Sequence, residues 1–407
     1  MKKVIVIGGG AAGFFAAINA KEMNPSLDIS ILEKRKEVLQ KVKISGGGRC
    51  NVTHACFDPK ALSEFYPRGQ KELLGPFHQF MTGDTFAWFE ANEIELKIEA
   101  DNRVFPTSNS SQTIIDCFLD KTKELNIEVH KGCGVNYIEP QEDQWIVHTK
   151  DKDYTCDAVV MAAGSSKKTW ELAQTLGHSI VTPVPSLFTF NIKDDRIALL
   201  PGLSVPNAHV NLMDTTLEAS GPLLITHWGL SGPAVLKLSA FGARILAEKK
   251  YSYTVQVNWL SLPLENVKNT LLELRKAEAK KQLILRSAFA DLPKRLWEQL
   301  VRAAGIAPNM NWADLSNQHI ENLAQQLTQC VFKAQGKSTF KEEFVTAGGV
   351  DLKEINFKRF ESRLHKNLFF IGEVLDIDAV TGGFNFQNAW TGGYVVAKAL
   401  ATDSKHS

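Results

Sequence analysis

The sequence predicts an α/β protein in which a parallel-sheet nucleotide-binding domain, assembled from both ends of the chain, is interrupted by an inserted domain of antiparallel strands followed by a small helical bundle. Three observations predict it. A buried strand runs straight into Gly8, Gly10 and Gly13; a second apolar strand-and-glycine segment lies near the far end, from Leu368 to Gly383; and the pattern between about 190 and 341 changes character. At 407 residues the chain exceeds one ordinary core, so two domains, or one interrupting another, are expected.

Val4 to Ile7 is an unbroken β-branched run, as a strand buried on both faces of a parallel sheet requires. It ends in Gly8-x-Gly10-x-x-Gly13. Gly8 makes the tight turn, Gly10 lets backbone approach a pyrophosphate, and Gly13 lets the next helix pack on the strand. That helix reads to about Met23, with its positive end at the phosphates, and "DISIL" forms a second strand ending at Glu33. Glu33 follows Gly13 by 20 residues, the separation that brings an acid to the adenosine ribose hydroxyls. A 2′-phosphate about 4 Å away would be repelled by roughly 4 kcal/mol at an effective dielectric of about 20. The site therefore suits FAD or NAD and not NADP.

"KISGGGRCNVTH" (43–54) admits four readings: phosphate loop, cysteine nucleophile, half a metal site, or a backbone platform under a flat ligand. No Gly-Lys-Ser/Thr follows, and Cys50 and His54 have no ligand pair at zinc spacing. Cys50 also lacks an identifiable base. The platform remains, with Ser45, Gly46, Gly47 and Gly48 close to the ligand and Arg49 and Asn51 anchoring the turn or the substrate. Phe105 and Pro106, in "NRVFPTSNSS", read as packing.

Further on, "IEVH" (127–130) is a strand, and "QWIVHTKDKDYTCDAVVMAAGSS" is two alternating strands leading to a buried strand, Ala158 to Ala162, that ends at Gly164. This is a β-meander returning to the parallel sheet. Leu368 to Ile371 is another buried strand, followed by Gly372-Glu373, Gly382-Gly383 and a helix to the C-terminus. Backbone N–H groups near Asn385, Phe386 and Gln387 would stand at the positive end of that helix.

In the insertion, segments such as "HVNLMD", "GPLLITH" and "YTVQVNW" read as antiparallel strands (about 191–260). Leu stripes mark amphipathic helices (about 263–328) with a small core of their own, and a return strand spans about 329–340. In "THWGLSGPAVL" (226–236) Pro233 opens a helix near Ala234, Ser231 is a candidate cap, and His227 is the candidate proton donor or substrate ligand.

"VIVIGGGAAG", "KVKISGGGRCNVT", "RVFPTSNSS", "THWGLSGPAVL", "VTAGGV" and "GEVLDIDAVTGGFNFQNAWTGGYVVAKAL" occur in order along nearly the whole chain. In these the chain resembles the BaiN/RdsA (YhiN-type) family of NAD(P)/FAD-dependent oxidoreductases, flavoproteins of the glutathione-reductase-like fold. The resemblance implies a discontinuous Rossmann-like FAD-binding domain (1–190 and 341–407), an inserted domain (191–340) covering the flavin, and non-covalent FAD. It carries the cofactor site over to Gly8, Gly10, Ala12, Gly13, Glu33, Lys34, Ser45, Gly46, Gly47, Arg49, Asn51, Val135, Ala163, Gly164, Gly372, Glu373, Asp376, Gly383, Asn385, Phe386 and Gln387. One member type reduces conjugated carbon–carbon double bonds in steroid-like acids. Where the family often has Gly-Gly-Tyr-Asn-Leu-Gln, this chain has Gly382-Gly383-Phe384-Asn385-Phe386-Gln387. That change keeps the backbone roles and leaves the substrate open.

The expected function is hydride transfer through flavin N5 to an activated C=C bond of a small organic acid or enone, with His227 and Arg49 as candidate catalytic groups. No second strand-glycine fingerprint exists, so NAD(P)H is expected as a transient reductant. The alternatives are a flavin-dependent tRNA-modifying enzyme and a non-enzymatic electron-transfer flavoprotein. With 46 Lys+Arg and 45 Asp+Glu, net +1, the charge sum gives no reason to expect nucleic acid. No apolar stretch approaches the roughly 20 residues of a membrane span. The six cysteines show neither C-x-x-C nor regular spacing, so no disulfide framework or metal site is expected, and the cytoplasm is the expected location.

Overall fold

A computed structural model describes residues 1–338 and 345–403. They fall into two compact units, Met1–Val184 with Val345–Ser407, and Pro185–Phe344. The last two residues expected of the return strand, 339 and 340, and the expected boundary at 341 lie outside the described residues.

The first unit is built on a seven-stranded sheet. Its centre is Lys3–Ile7, paired in parallel with Asp28–Glu33 on one side and Ala158–Met161 on the other. Being flanked on both edges and covered on both faces, this strand is buried from Val4 to Ile7, which is why its sequence is apolar without alternation. Glu128–Lys131 and Leu368–Phe370 extend the parallel order outward, and Glu361–Ser362 and Ile355–Asn356 close one edge in antiparallel fashion. The helix Ala11–Met23 is buried from Ala12 to Ala20. It lies against the C-terminal helix Phe384–Asp403 so closely that a Cβ on Gly393 would stand 3.1 Å from the Ala16 nitrogen. The expected meander is present as Val135–Gln141, Gln144–Thr149 and Asp153–Cys156. A separate three-stranded sheet joins Thr53–His54, Arg103–Pro106 and Leu96–Ile98.

In the second unit six strands close into a barrel, in the order Thr189–Ile192, Gly229–Ser231, Glu218–Thr226, Ser204–Leu212, Ser252–Asn258 and Cys330–Ser338. The last strand pairs back on the first, Ser338 opposite Thr189. Alternation along Ser252–Asn258 buries Tyr253, Val255 and Val257, the period-2 pattern of a one-sided strand. Closure leaves no free sheet edge, a property of the pairing that no single strand announces. The helices do not form a core of their own, contrary to the expectation from their Leu stripes. Leu271, Trp297, Leu300 and Leu323 belong to one buried cluster with Val210 and Val257 of the barrel.

Candidate cofactor and active site

The glycine loop leaves the sheet at the carboxyl ends of its parallel strands, where open α/β sheets bind ligands. Gly8 (φ +117°) passes against the end of the neighbouring strand, and a Cβ there would lie 2.5 Å from Ala163 Cα. On Gly13 it would lie 2.1 Å from the Gly8 carbonyl. Gly10 faces open space, as backbone that receives a ligand must. The first intrahelical bond runs from Phe14 N–H to Gly10 O at 3.1 Å, which leaves the N–H groups of Ala11, Ala12 and Gly13 for an outside acceptor.

Glu33 does more than its spacing indicated. One carboxylate oxygen accepts from Gly9 N–H at 2.8 Å and the other from Arg35 N–H at 2.8 Å, so the acid braces the loop, with lone pairs left over for a ribose. Gly9, which sequence reasoning passed over, must also lack a side chain, since its Cβ would meet Glu33 Cβ and Val38 at 2.9 Å. Cys133 N–H donates to Glu33 O at 2.8 Å, and a Cβ on Gly134 would lie 3.3 Å from Lys34 Cβ. These contacts bring Glu33, exposed Lys34 and the start of the meander at Val135 together.

A second cluster gathers residues from across the chain. A Cβ on Gly164 would lie 3.9 Å from Glu373 Oε2, and one on Gly372 (φ +72°) 3.3 Å from Ala12 Cβ. Ser165 Oγ donates to Glu373 at 3.4 Å, and Lys41 forms an ion pair with the same carboxylate. Lys41 carried no sequence signal, because a lone lysine on a short helix resembles any solvated residue. Asp376, nearby in the chain, is buried, and its N–H donates to Val350 O at 3.1 Å.

The platform is neither a plain loop nor a regular helix. Gln40–Gly48 is helical at its start, breaks at Ser45 (ψ 148°), and turns left-handed at Gly46 and Gly47. Gly46 serves the protein's own packing, since a Cβ there would strike the Phe105 ring at 2.8 Å, whereas Gly47 faces open space. Cys50 is fully buried, and burial pushes its thiol up to about 12, which removes it as a nucleophile. With its amide turned to match its neighbours, Asn51 donates to Thr53 O at 3.0 Å and Val104 O at 3.2 Å and accepts from Gly383 N–H at 3.0 Å. The platform is thereby tied to the C-terminal helix start, where a Cβ on Gly383 would lie 2.5 Å from the Thr53 carbonyl.

At that helix start Asn385 Oδ1 accepts from Ala379 N–H at 3.1 Å, holding the loop, while Gln387 N–H is spent on Gly383 O at 3.0 Å. The Gln387 side chain is buried and accepts from Thr53 Oγ1 at 2.6 Å and Thr85 Oγ1 at 2.9 Å. Gln387 is therefore a brace, and the N–H groups of Phe384, Asn385 and Phe386 are the ones left facing outward. His54 was missed as more than a rejected metal ligand. Its Nδ1 lies 3.2 Å from Gly382 O and its ring 4.5 Å from that of Phe384, with burial lowering its pKa. Arg49 bonds Glu99 at 2.6 Å with its guanidinium 3.9 Å over the Phe105 ring, so its charge is already compensated.

His227 sits in the second unit, exposed beside exposed Trp228 in the turn between Glu218–Thr226 and Gly229–Ser231. Ser231 is not the cap expected of it. Its hydroxyl accepts from Thr189 Oγ1 at 2.9 Å, and the helix Pro233–Phe241 starts instead from Gly232 at φ +90°.

The residues of the first unit fit an extended dinucleotide. Two helix starts with free N–H groups follow strands of one parallel sheet, and Gly10 and Gly47 present backbone with open space beside it. A sequence profile described as HI0933-like protein Rossmann domain matches residues 2–399. The chain is 28% identical to a ribosomal RNA dihydrouridine synthase of Escherichia coli, covering 97% of each chain. It is 26% identical to a 3-dehydro-bile acid delta(4,6)-reductase of Clostridium scindens, covering 98% of this chain and 99% of that one. Among solved structures, a 3-ketosteroid delta1-dehydrogenase from Sterolibacterium denitrificans superposes with a TM-score of 0.52 at 11% identity, over 99% of this chain and 100% of the other, a likeness of fold alone.

Proposed function

The chain belongs to the HI0933-like Rossmann family, and from that premise we propose that it is an FAD-dependent reductase of carbon–carbon double bonds conjugated to a carbonyl, with NAD(P)H as donor. The observation that carries this is the agreement between relatives matched over nearly their full length. A 3-oxo steroid acid unsaturated at C4 and C6 and a uracil ring present the same kind of electrophile, a C=C bond conjugated to a carbonyl that accepts hydride at its carbon farther from that carbonyl. Bound FAD, once reduced by the nicotinamide donor, would supply that hydride from N5.

The chain's own residues position and exclude. Gly10, Ala11 and Ala12 offer backbone to the pyrophosphate and Glu33 to the ribose. The turn at Gly46 to Gly48 would receive the flavin ring, and the N–H groups of Phe384 to Phe386 would favour negative charge developing on it. Arg49, fixed by Glu99, would orient the substrate carbonyl; His227, in the other unit, is a candidate proton donor or substrate ligand. A small organic acid or enone is the first substrate reading. Uridine within an RNA is the second, favoured by the E. coli relative and by a further dihydrouridine synthase, of Haemophilus influenzae, at 26% identity over 98% of each chain.

Anaerobic stopped-flow mixing with NADH and NADPH tests the donor. Flavin bleaching well above the free-flavin rate is expected with at least one of them, and bleaching with neither would remove the nicotinamide step. The reduced enzyme should then be reoxidised without oxygen by a dienoyl acid, an enone or a uridine-containing RNA. If none of the three reoxidises it, the double-bond reading falls.

A further inference from the structure

The unit Pro185–Phe344 carries a concentration of positive charge that the double-bond chemistry does not use. Between Arg275 and Arg302 eight Lys and Arg stand against three acids, net +5, in a chain whose total is +1. Two of those acids are already engaged, Glu278 with Lys281 and Glu298 with Lys294. Lys276, Lys280, Arg286 and Arg302 are exposed and have no ion-pair partner among the described residues.

This stretch is not a loose connection. Trp312 N–H donates to Lys281 O at 3.0 Å, Ala313 N–H to Ala279 O at 3.1 Å, and Leu283 N–H to Met310 O at 3.1 Å. Trp297 Nε1–H donates to Leu283 O at 3.0 Å, and Leu283, Leu292, Leu296 and Trp297 are buried beneath. The backbone that carries these cations is thus anchored to a buried core, and its unpaired positive charge favours a polyanion. A small acid needs no such surface. An anionic membrane fits poorly, because Leu285 is the one large apolar side chain exposed in this stretch.

We propose that this ridge on the second unit binds the phosphate backbone of RNA. The proposal rests on the second substrate reading, in which the reduced bond belongs to a base in RNA. Phosphate contacts position a nucleic acid without reading its sequence, so the ridge supplies affinity and orientation while the choice of base falls to the active site.

The test uses the FAD-loaded full chain and the fluorescence anisotropy of a mixed-sequence RNA hairpin of about 30 nucleotides, at salt from about 50 to about 200 mM. Two variants carry the same change in net charge. One is Lys276→Glu, Lys280→Glu, Arg286→Glu and Arg302→Glu; the other reverses Lys60, Lys71, Lys150 and Lys366, exposed lysines of the first unit. The ridge variant should bind about 100-fold more weakly, with a slope of log K against log salt shallower by about 3 to 4, and the control should stay within about 3-fold of the parent. If the ridge variant loses FAD or its cooperative melt, the Gln versions of the same four positions replace it.

The ridge is overturned if the parent chain binds no RNA, if both variants weaken alike, or if phosphatidylserine vesicles are bound as tightly as the RNA. Reoxidation by an enone, followed in the same preparations, separates the two ideas. Rapid enone reduction without RNA binding would sink the ridge and leave the reaction class standing. RNA held through the ridge with no double bond reduced would do the reverse.

Discussion

Glu33 carries a structural role that its spacing does not announce. Its 20-residue spacing from Gly13 marks it as the ribose acid, but its two bonds to the Gly9 and Arg35 N–H groups make it a brace of the loop as well. Hydrogen bonds to an ionised acceptor are worth about 1.5–3 kcal/mol each, so Glu33→Ala should weaken FAD binding by roughly 10- to 100-fold, measured by flavin fluorescence titration. Unchanged FAD affinity would remove the acid from the site. The glycines of the platform divide in a way their sequence does not reveal. Gly46→Ala drives a methyl into Phe105 at positive φ and should cost about 2–4 kcal/mol of stability even without FAD. Gly47→Val, in open space, should leave the FAD-free melt within about 2 kcal/mol and yet lose the flavin. Retention of full flavin with an unchanged spectrum would show that Gly47 faces only solvent.

At the scale of elements, the edge of the large sheet is held by a polar chain in which His178 and Ser362 are buried and Glu354 is partly exposed. His178 Nδ1 lies 2.9 Å from Glu354 and its Nε2 3.0 Å from Ser362 Oγ, while Glu354 also accepts from Ser179 N–H at 3.0 Å. Burial lowers the His178 pKa below its usual value, with Glu354 opposing in part. For Glu354, burial would raise the pKa, but the hydrogen bonds from Ser179 and His178 outweigh it and the shift is downward. Both groups thus hold their protons less tightly folded than unfolded, so each contributes stability above its unfolded pKa and loses it on acidification. The histidine's share falls away below about pH 6.5 and the glutamate's below about pH 4.5. The melting temperature should therefore drop between pH 7 and pH 5, and His178→Asn should flatten that slope; an equal slope in the variant would place the titration elsewhere. None of this was legible beforehand. The three partners lie up to 184 positions apart, and each alone reads as an ordinary polar residue.

At the scale of the molecule, the barrel explains how a second unit can interrupt the first. Thr189 and Ser338 pair, so the chain enters and leaves the barrel at adjacent strands. The fragment Pro185–Phe344 made alone should accordingly melt in one cooperative transition that FAD does not shift. The whole chain should gain about 2.7 kcal/mol at FAD near 100 Kd, and an unfolded fragment would show that the barrel depends on its host. Charge carries the same lesson about averages, since a sum of +1 conceals a stretch of +5. What the sequence by itself determined is whatever is local or periodic: the buried strand into Gly8, Gly10 and Gly13, the acid at Glu33, the meander, and the family resemblance through its motifs in order. Only the tertiary structure decided barrel closure, the shared core of barrel and helices, Lys41 on Glu373, Asn51 on Gly383, and Gln387 turned inward. Each of these depends on which distant backbone comes within about 3 Å, and a one-dimensional pattern cannot encode that distance until the chain has packed.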